Sequence, residues 1–159
     1  MTDGNGNDAG GAEARTLAIE RVFAAPPDRV FNAWTDPAVL ARWWGPETHT
    51  IADVSIDLRE GGEWMTVMVS PEGNRHHVSG VYLEIVPPRR LVFTWAWTGD
   101  GGRGHETTVT VTFEPHPAGT LMHFHQATFA AAEHALLHNQ GWTSTFDGLD
   151  RFIAGGGLD

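Results

Sequence analysis

The 159-residue chain contains no cysteine and no lysine. Without cysteine it has no disulfides, no thiol catalysis and no cysteine-ligated zinc or iron–sulfur centre, a composition that suits a cytoplasmic protein. All ten basic residues are arginines, set against 20 acidic ones, for a formal charge of −10. An acidic chain with no basic stripe is not built to bind nucleic acid or an anionic membrane surface. No apolar run approaches the ~20 residues that a membrane helix needs. The opening stretch MTDGNGNDAGGA has neither a basic start nor an apolar segment, so it does not read as a signal peptide. Its glycine, asparagine and aspartate make residues 1–14 a disordered leader, and GGGLD makes residues 155–159 a flexible tail. Internal repeats and linkers are lacking as well, which leaves residues 15–154 as one domain. There is no GxSxG elbow, and the glycine-rich stretch GDGGRG lacks both the lysine and the strand–loop–helix setting of a phosphate cradle. It reads as a hairpin loop, free to move over a pocket.

What the chain does have is seven tryptophans and nine histidines on a 41% hydrophobic background. Alternation in RTLAIERVF predicts a first strand. Pro26 and Pro27 stop it and open a short helix, PDRVFNAW. Thr35-Asp36-Pro37 breaks that helix and starts another, PAVLARWW, which Gly45-Pro46 ends. Six strands follow: THTIADVSIDL, EWMTVMVS, HHVSGVYLEIV, RLVFTWAWT, HETTVTVTFEP and TLMHFHQATF, separated by glycine- and proline-rich turns. The stretch AAAEHALLHNQGWTSTFDGLDRFIAG then reads as one long helix, with Leu137, Trp142, Phe146, Leu149, Phe152 and Ile153 on its apolar face. The order predicts an α+β fold: a curved antiparallel sheet of about seven strands wrapped around the C-terminal helix, with two short helices after the first strand.

The segments RVFAAPPDRVFNAWTDPAVLARWWGP, DLREGGEW, GVYLEIVPPRRLVFTW, GTLMHFHQATF and GWTSTFDGLDRFI, in this order, resemble the START-like or helix-grip superfamily. Within it they resemble the family named after the C-terminal domain of the heat-shock-protein-90 ATPase activator. The resemblance spans nearly the whole chain and implies the helix-grip fold with an internal cavity. It says less about activity, because members bind apolar small molecules, cyclise or dehydrate polyketides, sequester metabolites, or act beside chaperones in the stress response. The name-giving activator also carries an N-terminal domain that grips the chaperone. Residues 1–14 are too few to supply one, so a co-chaperone-like module ranks last. A homodimer is admitted by the family, and nothing in the residues demands it.

Strand alternation puts Leu91, Phe93, Trp95 and Trp97 on one face. The family pattern turns Trp64 and Met68 inward, and likewise Met122, Phe124 and Gln126, although Leu121 and Ala127 fit the opposite register. For GVYLEI the inward residue is either Tyr82 or the pair Val81 and Leu83. These aromatics either fill a solid core or line a cavity for a hydrophobic or aromatic small molecule. Indoles and methionines beside a polar Gln126 favour an adaptable wall. In RWWGP, adjacent helical positions point about 100° apart. Trp43 therefore continues the face of Leu40, and Trp44 is either a gate at the cavity rim or a packing residue. His138 and Trp142, one helical turn apart, complete the candidate lining. His138 is also a weak acid–base candidate, with Asp57 or Glu106 as its partner in a cyclase, dehydratase or hydrolase. Where many relatives carry a histidine this chain has Gln126, which cannot shuttle protons. Asp57 and Arg59 also read as a structural ion pair. His134 with His138, and His123 with His125, have the spacing of metal pairs but lack a third ligand, so neither metal nor cofactor is expected.

Overall fold

The computed structural model describes residues 14–157. Most of the expected leader lies outside these residues. The first strand, β1 (Leu17–Phe23), is followed by α1 (Pro27–Thr35) and α2 (Pro37–Leu40). The sheet continues through β2 (Thr50–Ile56), β3 (Glu63–Val69), β4 (Arg75–Val86), β5 (Arg90–Gly99), β6 (Gly102–Arg103), β7 (Thr107–His116) and β8 (Gly119–Ala127). The last element is α3 (Ala132–Ala154). All neighbouring strands pair antiparallel in the order β1-β8-β7-β5-β4-β3-β2, with β6 an appendage on β5. This is the expected curved sheet gripping a long helix, with one short strand more than the alternation suggested.

Local chemistry explains the punctuation. The Asp36 N–H donates to Asn32 O and ends α1, while the Asp36 carboxylate accepts from Ala38 N and caps α2. The second helix stops at Leu40 rather than running on to Trp44. The N–H groups of Trp43 and Trp44 both donate to Leu40 O, and Gly45 then turns the chain at φ +91°. At the C-terminus, Gly155 and Gly157 N–H groups return to Arg151 O and Phe152 O with Gly156 at φ +81°. The glycines expected to be a loose tail are thus, as far as Gly157, a helix cap.

The inward faces follow the two-residue period. Trp64, Thr66 and Met68 are buried on β3, and Met122, Phe124 and Gln126 on β8. On β4 the inward residues are Val78, Gly80 and Tyr82, whereas Leu83 is exposed. A register shift between Tyr82 and Glu84 separates this face from the end of the strand. Gly80 is required at its place, since a Cβ there would lie 1.8 Å from Thr94 O and 2.7 Å from Trp64 Nε1. The long helix buries Ala135, Trp142, Thr145, Phe146 and Leu149. Leu137, expected on that face, is 62% exposed. Position 137 lies five residues before Trp142, about 500° around the helix and well off its stripe.

Candidate ligand-binding cavity

The aromatic residues divide between a filled core and a cavity. The core centres on Trp34, whose ring lies 5.1–6.5 Å from those of Trp43, Trp44, Phe93, Phe113, Phe124, Trp142 and Phe146. Beside it, between α3 and the strands β3–β5, is a cavity of about 300 Å³. Its walls are the indoles of Trp44, Trp95, Trp97 and Trp142 and the thioether of Met68. Gly45, Pro46, His49, His76 and Leu137 complete the lining, with the helical stripe His138, Gly141, Trp142 and Thr145 above. That stripe has i, i+3, i+4, i+7 spacing, so a single helix face roofs the cavity. Gly141 leaves open space where a side chain would project.

Each wall indole but one is fixed by a hydrogen bond. Trp142 Nε1 donates to Gln126 Oε1 at 2.8 Å, and Gln126 Nε2 donates to Thr107 Oγ1 at 2.9 Å. Gln126 is completely buried, so this relay satisfies its amide while locking the Trp142 ring. Trp44 Nε1 donates to Thr66 Oγ1 at 3.1 Å. Trp97 Nε1 donates to His138 Nε2 at 3.1 Å, and His138 Nδ1 donates to His134 O at 2.8 Å. Those two bonds select the neutral Nδ1–H tautomer, and burial holds the His138 pKa below its ordinary value. Trp95 Nε1 is buried without a partner.

Of the twelve residues expected to line a pocket, Trp44, Met68, Trp95, Trp97, His138 and Trp142 do so. The other six lie elsewhere. Trp43 donates from Nε1 to Ala33 O at 3.0 Å and faces an adjoining surface groove with Arg42 and Arg151. Trp64, whose Nε1 donates to Thr94 O, and Phe93 flank a void of only about 20 Å³ with Trp34 and Tyr82. Met122 and Phe124 are core, and Gln126 acts from behind the wall. Trp44 is 6% exposed and is therefore an inner partition between core and cavity rather than a gate at the rim. With both tryptophans of RWWGP buried, that stretch presents no exposed aromatic patch.

The expected carboxylate partners of His138 are absent from the lining. Asp57 pairs with Arg59 at 2.8 Å on an exposed turn, and Glu106 pairs with Arg103. Arg103 also donates to Ser79 O at 2.8 Å, which ties the GDGGRG loop to β4 and keeps it off the cavity. His123 sits between Glu20 and Glu114. Among the described residues no three histidine or acidic side chains are placed to hold a metal. Gly141 and Thr145 were legible from the spacing of His138 and Trp142. His49 and His76 were not, since nothing local says that a loop and the start of β4 meet at the mouth.

Residues 24–154 match the family model described as activator of Hsp90 ATPase homolog 1-like protein. Among solved structures, the AHSA1 protein from Silicibacter pomeroyi is similar at 37% identity and a TM-score of 0.78, over 87% of this chain and 97% of that one. A protein from Chromobacterium violaceum is 28% identical with a TM-score of 0.80 over the same shares. One from Nitrosomonas europaea is 27% identical with a TM-score of 0.77, over 92% of this chain and 98% of that one. No curated protein matches the chain. No helix among the described residues is long and apolar enough to cross a membrane.

Proposed function

The chain belongs to the activator of Hsp90 ATPase homolog 1-like family, and from that premise we propose that it binds a hydrophobic or aromatic small molecule in the cavity beneath α3. The carrying observation is a space of about 300 Å³ walled by four indoles and a methionine. An apolar cavity of roughly 150 Å³ accepts benzene, so this one suits a two-ring skeleton. A ligand burying ~300 Å² of apolar surface gains roughly 7 kcal/mol gross. Association and ordering costs leave an affinity in the micromolar to millimolar range.

Turnover in the manner of a polyketide cyclase, dehydratase or hydrolase is the weaker reading. Both ring nitrogens of His138 are engaged, and among the described residues no carboxylate lines the cavity. The cytoplasm is the proposed setting, in keeping with a chain that lacks cysteine. A homodimer and a part in the stress response rest on the family alone.

The test is quenching of tryptophan fluorescence by a panel of bicyclic aromatic compounds, with Gly141→Phe as the control. Gly141 lines the cavity and a Cβ there meets no atom within 4 Å, so the new ring is expected to fill the cavity; a native far-ultraviolet spectrum checks that the fold is kept. Saturable quenching by the native protein that disappears in Gly141→Phe supports the reading. Quenching that persists unchanged in the blocked variant places the ligand elsewhere and overturns it.

A further inference from the structure

The polar groups of the cavity are sorted. Its depth is made of Trp44, Met68, Trp95 and Trp142, and its imidazoles are His49, His76 and His138. The His49 and His76 rings are neighbours, tilted 48° to each other with centroids 5.7 Å apart, and the His76 ring meets the Trp97 ring edge-on at 6.3 Å. Trp97 in turn holds His138. The three imidazoles thus form a chain of neighbours joined through Trp97.

Their hydrogen-bonding capacity is unequal. His138 has both nitrogens occupied. His49 uses Nδ1 toward Thr48 Oγ1 at 3.3 Å, and among the described residues no hydrogen bond engages its Nε2 or either nitrogen of His76. His76 is exposed and His49 half-buried, as expected of residues at the opening rather than the floor.

Charge is sorted too. The protein carries 20 acidic residues, yet among the described residues none lines this cavity. Glu47, next in the chain after Pro46, lines only the adjoining surface groove, which shares Trp44, Gly45, Pro46 and His49 with the cavity and also holds Arg42 and Arg151. A cationic head would find no counter-ion among the described lining residues; its one attraction is to the indole faces, where it competes with the apolar skeleton for the same space. An anionic head would find imidazole N–H donors and no repelling carboxylate in the wall. Hydrogen bonds to a charged acceptor are roughly twice as strong as neutral ones.

We propose that the cavity selects aromatic carboxylates, seating the apolar skeleton among the indoles and the carboxylate at His49 and His76. This rests on the binding function proposed above and adds the chemical class of the ligand and the two residues that determine it. His76 N–H and His49 Nε2–H donate to the carboxylate oxygens. Trp97 and His138, already bonded to each other, form the rigid side of the opening.

Isothermal titration calorimetry of the full chain with three probes on one skeleton tests this: 2-naphthoate, 2-naphthalenemethanol and 2-naphthylmethylamine. The expected order is carboxylate tightest and amine weakest. His76→Phe and His49→Phe, measured singly, each keep a ring in place while removing the donor. Each should weaken 2-naphthoate by roughly tenfold, the loss of one hydrogen bond to a charged group, and weaken the alcohol distinctly less, the loss of one neutral hydrogen bond. His76→Gln, which restores an N–H donor, should recover part of the preference.

If the alcohol binds as tightly as the carboxylate, or the amine binds best, the head-group assignment is overturned while the cavity reading stands. If both histidine variants keep the full carboxylate preference, the assignment of the two residues is overturned. If none of the three probes binds, or all bind Gly141→Phe as they bind the native chain, the cavity reading fails and this assignment falls with it.

Discussion

Gln126 is a buried amide held between an indole N–H and a threonine hydroxyl. Replacing it by leucine keeps the bulk but strands the Trp142 N–H and takes from Thr107 Oγ1 the bond it accepts, leaving only its donation to Trp95 O. Leaving buried groups unsatisfied costs about 1–3 kcal/mol, so Gln126→Leu is expected to lower the urea midpoint by a corresponding amount while the far-ultraviolet spectrum stays native. Gly80→Ala acts through the backbone instead. Its Cβ would fall on Thr94 O, which cannot move without breaking the β4–β5 pairing. A loss of ~3 kcal/mol or more is expected, visible as a poorly folded or low-melting variant. His138 sets a pH dependence whose sign follows from burial. Its folded pKa lies below the ordinary 6.5, so the unfolded chain takes up the proton first. The contribution of neutral His138 to stability is complete above about pH 6.5 and is lost as pH falls toward the depressed folded value. The imidazolium cannot accept from Trp97, and the facing groups, Trp95, Trp97 and Phe129 rings with His134 on the same helix, offer it no carboxylate. An NMR titration should therefore show the Trp97 indole N–H resonance shifting with the same midpoint as the His138 ring. If the Trp97 signal stays fixed while His138 titrates, the latch between them does not exist.

At the scale of the elements, α3 carries two opposed features. Gly141 lies in its middle, where glycine costs roughly 0.5–1 kcal/mol relative to alanine. The site offers open space, so Gly141→Ala should raise the melting temperature by a few degrees. It should also tighten the cavity by one methyl group. A helix optimised only for stability would not keep this glycine. The same helix is pinned to β1 by Arg21, which donates to Asp147 and to Asp150, the latter at 2.7 Å. The arginine side chain is only 21% exposed and the carboxylates about half exposed, so screening limits the gain. Arg21→Ala is expected to cost about 1 kcal/mol at low ionic strength and less in molar salt. A loss independent of salt would mean that the arginine acts by packing its stem instead. On the sheet, the placement of Tyr82 rather than Val81 and Leu83 on the inner face follows from Gly80. Only with glycine at that point can Trp64 lie across β4, and the two-residue period then fixes Tyr82 inward.

At the scale of the whole molecule, binding and folding are linked. A ligand that occupies the native cavity at 100 times its dissociation constant adds about 2.7 kcal/mol of stability. Thermal unfolding in saturating ligand should therefore shift upward for the native chain and not for Gly141→Phe. The division of aromatics between core and cavity also bears on how the protein tolerates change. Trp44→Ala removes an indole that touches both, with a hydrogen bond to Thr66, and should cost about 3–5 kcal/mol besides any effect on binding. Trp97, half-buried at the opening, is the better residue to remove when only the site is to be altered.

The residues alone determined the antiparallel sheet, the two short helices after the first strand and the long C-terminal helix, because turn chemistry and hydrophobic period are local properties. They also determined that the inner face would be rich in indoles. Which indoles face empty space was decided only by the tertiary structure. A buried tryptophan in a filled core and one in a cavity wall have the same sequence signature. They differ in what lies opposite, and that is supplied by elements far along the chain. Trp64 and Phe93 meet Trp34 and are closed off, while Trp95 and Trp97 meet Gly141 and His138 and are not. The exclusion of Asp57 and Glu106 from the site has the same origin. Each carboxylate is held by an arginine close by in the chain, Arg59 or Arg103, and only the tertiary structure shows that neither lines the cavity.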